Sequence, residues 1–204
     1  MGKPAGQSGG RSGAGKRGVR LRVVGCGNPY AGDDSVGLEI VRRLRAGGDG
    51  DCELLEMPQA GVELLNLLED AEAILFVDAV SSGAPPGTLH LAPLPSPGIE
   101  PRTLGSLSSH GWGLAEMLGL AGVLGRQVPR LVLLGVEVGT VEPGRARTPA
   151  VEEAIQTVVE KFTEFRALLT EPEKDDWRSP RRFLPGDTSF PGGSGEVPIA
   201  VGGQ

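Results

Sequence analysis

The chain has 204 residues, the usual length of one domain, and 39% of them are hydrophobic, which is enough for a core. Its net charge of −6 argues against a dedicated nucleic-acid-binding protein, because such domains are usually basic. The longest apolar runs are far shorter than the ~20 residues that a membrane span needs. The first twenty residues lack the apolar centre of a secretory signal, and two cysteines cannot form a disulfide framework. We therefore expect a cytoplasmic protein.

The composition divides the chain into three segments. Residues 1–19 contain seven glycines and four basic residues but no acid, which predicts a disordered basic tail. Residues 171–204 contain five prolines and six glycines, which predicts a second disordered tail. Residues 20–170 are expected to form the folded domain.

Hydrophobic periodicity predicts alternating strands and helices within 20–170. Thr148 and Pro149 are suited to the start of the last helix, and Pro93 closes a strand that we expect at the sheet edge. This order is typical of a three-layer α/β fold with helices on both faces of a mainly parallel five-stranded sheet, in which one edge strand can run antiparallel. The expected strands span 19–25, 52–55, 73–80, 88–92 and 130–138, and the expected helices span 33–45, 62–68, 112–124 and 148–169.

A glycine-rich turn, Gly25-Cys26-Gly27-Asn28, joins the first strand to the first helix and leads to Asp33-Asp34. A dinucleotide-binding fingerprint would need a further glycine where Tyr30 stands, and the two acids would face the phosphates. A nucleotide-binding enzyme therefore remains only as a weak alternative. Asp33 and Asp34 have a common structural explanation as helix cap and dipole partner. The alternative is that one caps while the other stays ionised and binds a cation.

Two further residues are candidates for chemistry. Asp78 ends a buried strand, and ligands in open α/β sheets bind beyond the carboxyl ends of the strands. His110 precedes a predicted helix, whose dipole keeps the imidazole neutral and able to bind a metal. His90 lies within a strand, a poorer place for a ligand. One acid of the Asp33-Asp34 pair, together with Asp78 and His110, predicts an incomplete donor set for a divalent ion such as Zn²⁺ or Ni²⁺.

These residues resemble the motifs of the hydrogenase maturation proteases. The matching pattern is Gly25-x-Gly27-Asn28-x4-Asp33-Asp34-x2-Gly37, then Asp78-Ala79, then His110-x2-Gly113-Leu114. Weaker similarity includes Gln59–Leu65 and the segment from Gly135 to Val151, so that the resemblance covers about residues 20–168 and neither tail.

The resemblance implies an endopeptidase, of the group classed with the aspartic-type enzymes. Its substrate would be the large-subunit precursor of a [NiFe] hydrogenase, from which it removes the C-terminal extension after nickel insertion. Asp34, Asp78 and His110 would contact nickel carried by the substrate, with Asp34 and Asp78 as the catalytic residues. No permanent cofactor, nucleic acid or membrane partner is expected.

Three alternatives stay open at this stage. The same fold could be a non-catalytic module that binds a metal or a maturation partner. Cys26 could act as a nucleophile if His110 reaches it. The proline-rich segment at 93–101 could be a flap that grips the partner, or a plain connector.

Overall fold

The computed structural model describes residues 19–48, 52–58, 63–94, 114–170 and 181–183. The strands are β1 (Val19–Cys26), β2 (Glu53–Met57), β3 (Ala71–Val80), β4 (Leu89–Leu94), β5 (Arg130–Glu137) and β6 (Arg181–Phe183). The helices are α1 (Val36–Ala46), α2 (Leu64–Leu67), α3 (Leu114–Val123), α4 (Pro149–Glu160) and α5 (Phe162–Thr170), and a 3₁₀ turn over Gly32–Ser35 precedes α1.

The strands form one mixed sheet in the order β2-β1-β3-β5-β4-β6. The first four strands in this order are parallel to one another, and β4 runs antiparallel to both β5 and β6. The predicted α/β fold and its antiparallel strand are thus confirmed. Pro93, which was expected to close β4, lies inside the strand opposite Val132.

Helices cover both faces of the sheet and produce two apolar layers. One layer lies between the sheet and the helices α1, α4 and α5, and it contains Ile40, Leu75 and Phe165. The other lies under α2 and α3, and it contains Phe76 and Ala121. This alternation of buried residues along β3 explains why its sequence is nearly continuous in apolar residues. Among the described residues, no helix is both long and apolar enough to cross a membrane.

The helix predicted over 148–169 is divided into α4 and α5, which meet at Lys161. Thr148 precedes α4 as its N-cap residue, with Pro149 in the first turn, as the sequence predicts. The helix predicted over 62–68 is a single turn. Helix α1 begins later than predicted, because the two aspartates lie in the 3₁₀ turn instead.

The glycines of the first motif allow α1 to lie directly on the backbone of the sheet. A side chain at Gly37 would collide with the carbonyl oxygens of Cys26 and Val77. A side chain at Gly25 would collide with the Gly37 carbonyl, and one at Gly27 with the Asp34 carbonyl. The motif therefore fixes the 3₁₀ turn and α1 against the ends of β1 and β3.

A sixth strand, which the sequence analysis did not predict, pairs with β4. Residues Leu89 and Leu91 of β4 lie opposite Phe183 and Arg181 of β6. Phe183 is 1% exposed and belongs to the core layer of α1, α4 and α5. The prediction that 171–204 is a disordered tail is thus wrong for residues 181–183. The other residues of that tail, and residues 1–18, lie outside the described part of the chain.

We predict that a chain ending at residue 170 is less stable than a chain ending at residue 183. The shorter chain lacks Phe183, and removing a buried phenylalanine side chain typically costs about 3–5 kcal/mol. Urea denaturation of both chains measures the difference, and the longer one is the control because it retains β6. Equal free energies of unfolding would contradict the packing of Phe183.

Candidate functional site

The topology places the candidate acids at the point where the strand order of the sheet reverses. Strand β1 lies between β2 and β3. The chain that leaves β1 goes to β2 on one side of the β1–β3 pair, and the chain that leaves β3 goes to the strands on the other side. Such a switch point leaves a crevice at the carboxyl ends of the two strands, where α/β proteins bind ligands. Asp34 follows β1, and Asp78 lies near the end of β3.

Asp33 is fully buried and binds the loop that precedes α4. Its Oδ2 accepts hydrogen bonds from the amides of Gly139 (2.9 Å) and Thr140 (3.1 Å) and from the Thr148 hydroxyl (3.0 Å). Its Oδ1 accepts one from the amide of Thr148 at 2.6 Å. Neither the 3₁₀ turn nor α1 has a side-chain cap. The expectation that one acid caps its own helix is therefore wrong, since Asp33 instead holds residues 139–148.

Asp34 is 3% exposed and lies against the turn that follows β1. The Asn28 amide is 3.2 Å from the Asp34 carbonyl oxygen and 3.3 Å from the Asp34 carboxylate oxygen Oδ2. The neighbouring acids thus have different environments: Asp33 faces the loop before α4, and Asp34 faces the glycine-rich turn.

Asp78 is half-buried, and its Oδ1 accepts a hydrogen bond from the amide of Ala79 at 2.8 Å. Its charge also acts on the thiol of Cys26, the residue that ends β1. Gly25 of β1 pairs with Val77 of β3, so Asp78 lies in β3 at the level of Cys26. Asp34 contacts Asn28 just beyond, and both acids therefore lie near the carboxyl ends of these two neighbouring strands, at one edge of the sheet. Two of the three predicted donors are brought to that edge.

The third predicted donor, His110, lies outside the described residues, four positions before the first residue of α3. Within the described ranges, no group of three histidine, cysteine, aspartate or glutamate side chains is placed to hold a metal ion. The donor set of Asp34, Asp78 and His110 stays a prediction.

Comparison with known proteins identifies the family. A family model described as hydrogenase maturation protease matches residues 38–164, which is more than half of the chain. The chain belongs to the hydrogenase maturation protease family. The matched segment contains Asp78 and His110, and Asp34 lies just before it.

Individual relatives agree with the family assignment. The hydrogenase 2 maturation protease of Escherichia coli is 31% identical over 146 residues, which is 70% of this chain and 88% of the relative. The hydrogenase expression/formation protein HupD of Thiocapsa roseopersicina is 30% identical over 72% of this chain and 67% of its own length. The solved structure of the maturating endopeptidase HybD from E. coli has a TM-score of 0.61 and 29% identity, with coverage of 73% of this chain and 91% of HybD.

Because the chain belongs to the hydrogenase maturation proteases, it is a peptidase. Cys26 could be its nucleophile only if the thiol of Cys26 loses its proton readily. Burial, and secondarily the charge of Asp78, raise the pKa of the Cys26 thiol. The thiol is therefore protonated at neutral pH, whereas the thiolate is the reactive form. This argues against Cys26 as the nucleophile of this maturation protease.

A buried acid that the sequence analysis did not consider lies at the end of β5. Glu137 is 1% exposed and accepts hydrogen bonds from the amides of Ser82 (2.7 Å) and Gly83 (2.9 Å) and from the Ser82 hydroxyl (2.8 Å). Its other neighbour is His90, whose Nε2 is 3.0 Å from Oε2. Glu137, like Asp78, is an acid at the carboxyl end of a buried strand, so the same sequence signal marks both residues. Here the acid fixes the loop that follows β3.

We predict that Asp33→Asn destabilises the fold. An amide offers one acceptor oxygen where the carboxylate offers two, and each buried donor left without an acceptor costs about 1–3 kcal/mol. Urea denaturation measures the loss. Asp70→Asn is the matched control, because Asp70 is exposed and its φ of 61° suits asparagine. A free energy of unfolding for Asp33→Asn within 0.5 kcal/mol of the control, about the size of a neutral surface change, would contradict this role.

Proposed function

We propose that the protein removes the C-terminal extension of a [NiFe] hydrogenase large-subunit precursor after nickel has been inserted, and that it recognises the nickel bound in that substrate. The observation that supports this proposal is the placement of Asp34 and Asp78 near the carboxyl ends of the neighbouring strands β1 and β3, at the switch point of a maturation protease fold. We place the reaction in the cytoplasm, in line with the expectation from the sequence.

The nickel in this proposal belongs to the substrate. Nickel held by thiolates of the precursor retains coordination positions for oxygen and nitrogen donors. The carboxylates of Asp34 and Asp78 would occupy such positions, and His110 would supply the nitrogen donor. The precursor would then bind productively only when it carries the ion, because the empty precursor offers these residues nothing to ligate.

The two aspartates are also suited to peptide hydrolysis. One carboxylate acts as a general base and takes a proton from water, whose oxygen then forms a bond to the carbonyl carbon of the scissile peptide. The carbon–nitrogen bond breaks, and the leaving amine takes up the proton. The nickel ion of the substrate lies nearby and polarises the reacting groups, which are the attacking water and the scissile carbonyl. Asp34 and Asp78 would thus be catalytic residues as well as ligands, which is the basis for grouping the protein with aspartic-type peptidases.

We predict that Asp34→Asn and Asp78→Asn each abolish cleavage of a nickel-loaded large-subunit precursor. The amide side chain is neither a base nor an anionic ligand, so that both proposed roles are lost together. Mass spectrometry of the precursor after incubation detects loss of the C-terminal peptide, and His110→Ala tests the third donor. Asp70→Asn is the control, since it makes the same change at an exposed position where β3 begins.

The variants distinguish the peptidase from the alternative of a non-catalytic binding module. Binding of the precursor by the wild-type protein, without any loss of mass, would favour the module. Normal cleavage by both Asp34→Asn and Asp78→Asn would overturn the assignment of these residues.

Nickel dependence is a separate prediction. A precursor purified without nickel should remain intact in the presence of the wild-type protein, and adding Ni²⁺ during its maturation should restore cleavage, because Asp34, Asp78 and His110 are proposed to bind through the ion. The measured quantity is the fraction of precursor shortened after a fixed time. Equal cleavage of the nickel-free and nickel-loaded precursors would refute recognition of the ion.

A further inference from the structure

A small cleft adjoins the candidate site at the carboxyl edge of the sheet. Its walls are Ala79–Ser81, at the end of β3, and Val138–Val141, after the end of β5, and its volume is about 170 Å³. The first wall begins at the residue that follows Asp78. The cleft is well below the roughly 300–1,000 Å³ of a typical small-molecule pocket, and its size therefore suits one amino-acid side chain better than a separate ligand.

Hydrogen bonds from the main chain hold the wall formed by residues 138–141 in place. The amide of Val138 donates a hydrogen bond to the carbonyl oxygen of Val80 at 3.0 Å, which joins the two walls. The Asp33 carboxylate accepts hydrogen bonds from the amides of Gly139 and Thr140. The cleft is thus fixed by the aspartate that immediately precedes Asp34, so that its position relative to the candidate site is set by the fold.

The lining and the surroundings of the cleft favour an apolar occupant. Val141 is 44% exposed and Val138 is half-buried, and these two valines supply the accessible apolar side chains of the lining, since Ala79 and Val80 are buried. Tyr30 is 79% exposed on the same side of the sheet, and its carbonyl oxygen accepts a hydrogen bond from Gly144 in the loop that continues from Val141. Exposed apolar side chains beside a reaction site are typical of contacts with a protein substrate.

We propose that the cleft between Ala79–Ser81 and Val138–Val141 receives one apolar side chain from the first residues of the peptide that is released, and that it thereby sets the sequence preference of cleavage. This inference rests on the proposed function. The part of the precursor before the scissile bond is held through its nickel at Asp34 and Asp78. The cleft lies beyond Asp78 in the direction of β3, and it can therefore receive the residues of the precursor that follow the scissile bond.

The test uses a panel of nickel-loaded precursors in which each of the first three residues after the cut is changed in turn to Ala, Val, Phe or Asp. At one of these positions we expect the precursor with Val to have a kcat/KM about tenfold higher than the precursors with Asp or Phe. Pockets for small apolar groups discriminate between side chains by about tenfold or more. In the variant Val141→Phe the cleft is narrower, and the preference at that position should shift towards Ala by about tenfold.

Val123→Phe is the matched control, because Val123 is 85% exposed at the end of α3 and does not line the cleft. It should keep the wild-type preference. If the melting temperature shows that Val141→Phe is misfolded, Ser81→Leu narrows the cleft from the opposite wall and should give the same shift.

The outcomes separate the two proposals. Equal cleavage of the whole panel by the wild-type protein, or an unchanged preference in the folded cleft variants, would overturn the cleft assignment while the proposed function stands. Failure of the wild-type protein to cleave any nickel-loaded precursor would overturn the proposed function, and the cleft assignment with it.

Discussion

The arrangement of the carboxyl edge depends on one buried carboxylate, that of Asp33. It joins the turn after β1 to the loop before α4, two segments more than one hundred residues apart in sequence, through four hydrogen bonds. A buried carboxylate is tolerated when its oxygens are paired, and three main-chain amides and the Thr148 hydroxyl provide that pairing here. Asp34 is therefore presented from a turn that cannot move independently of the loop, and one side of the adjoining cleft is fixed by the same contacts.

The fold could largely be read from the sequence because periodicity reports which side of an element is buried. The apolar run of β3 and the spacing of Val36 and Ile40 in α1 correctly indicated a sheet covered on both faces. The division of 148–169 at Lys161 was missed, because both halves continue the same apolar pattern. Strand β6 was missed for a different reason: three residues are too few to show a period, and only pairing with β4 makes them a strand.

The part of the candidate site that could be predicted is the part in which a residue's position in the fold indicates its chemical role. Asp78 was identified because acids at the carboxyl ends of parallel strands face the usual ligand crevice; in the structure it lies near the end of β3, beside the end of β1, and its role stays a prediction. The separate roles of Asp33 and Asp34 could not be assigned, because adjacent acids look alike until their partners from residues 139–148 are known. Glu137 shows the same limit, since its partners come from the loop after β3.

Pro93 has a consequence for assembly of the sheet. Glu137 donates its amide to the carbonyl of Thr88, so alternation along β4 turns the main-chain groups of Leu89, Leu91 and Pro93 away from β5. Strand β6 pairs with Leu89 and Leu91, and Pro93 is a buried residue of β4. Pro93 has no amide hydrogen, so position 93 supplies no main-chain donor on the side of β4 that faces away from β5. Any strand that lies along that side of β4 can therefore take no main-chain hydrogen bond from position 93, which weakens ladder pairing at that point.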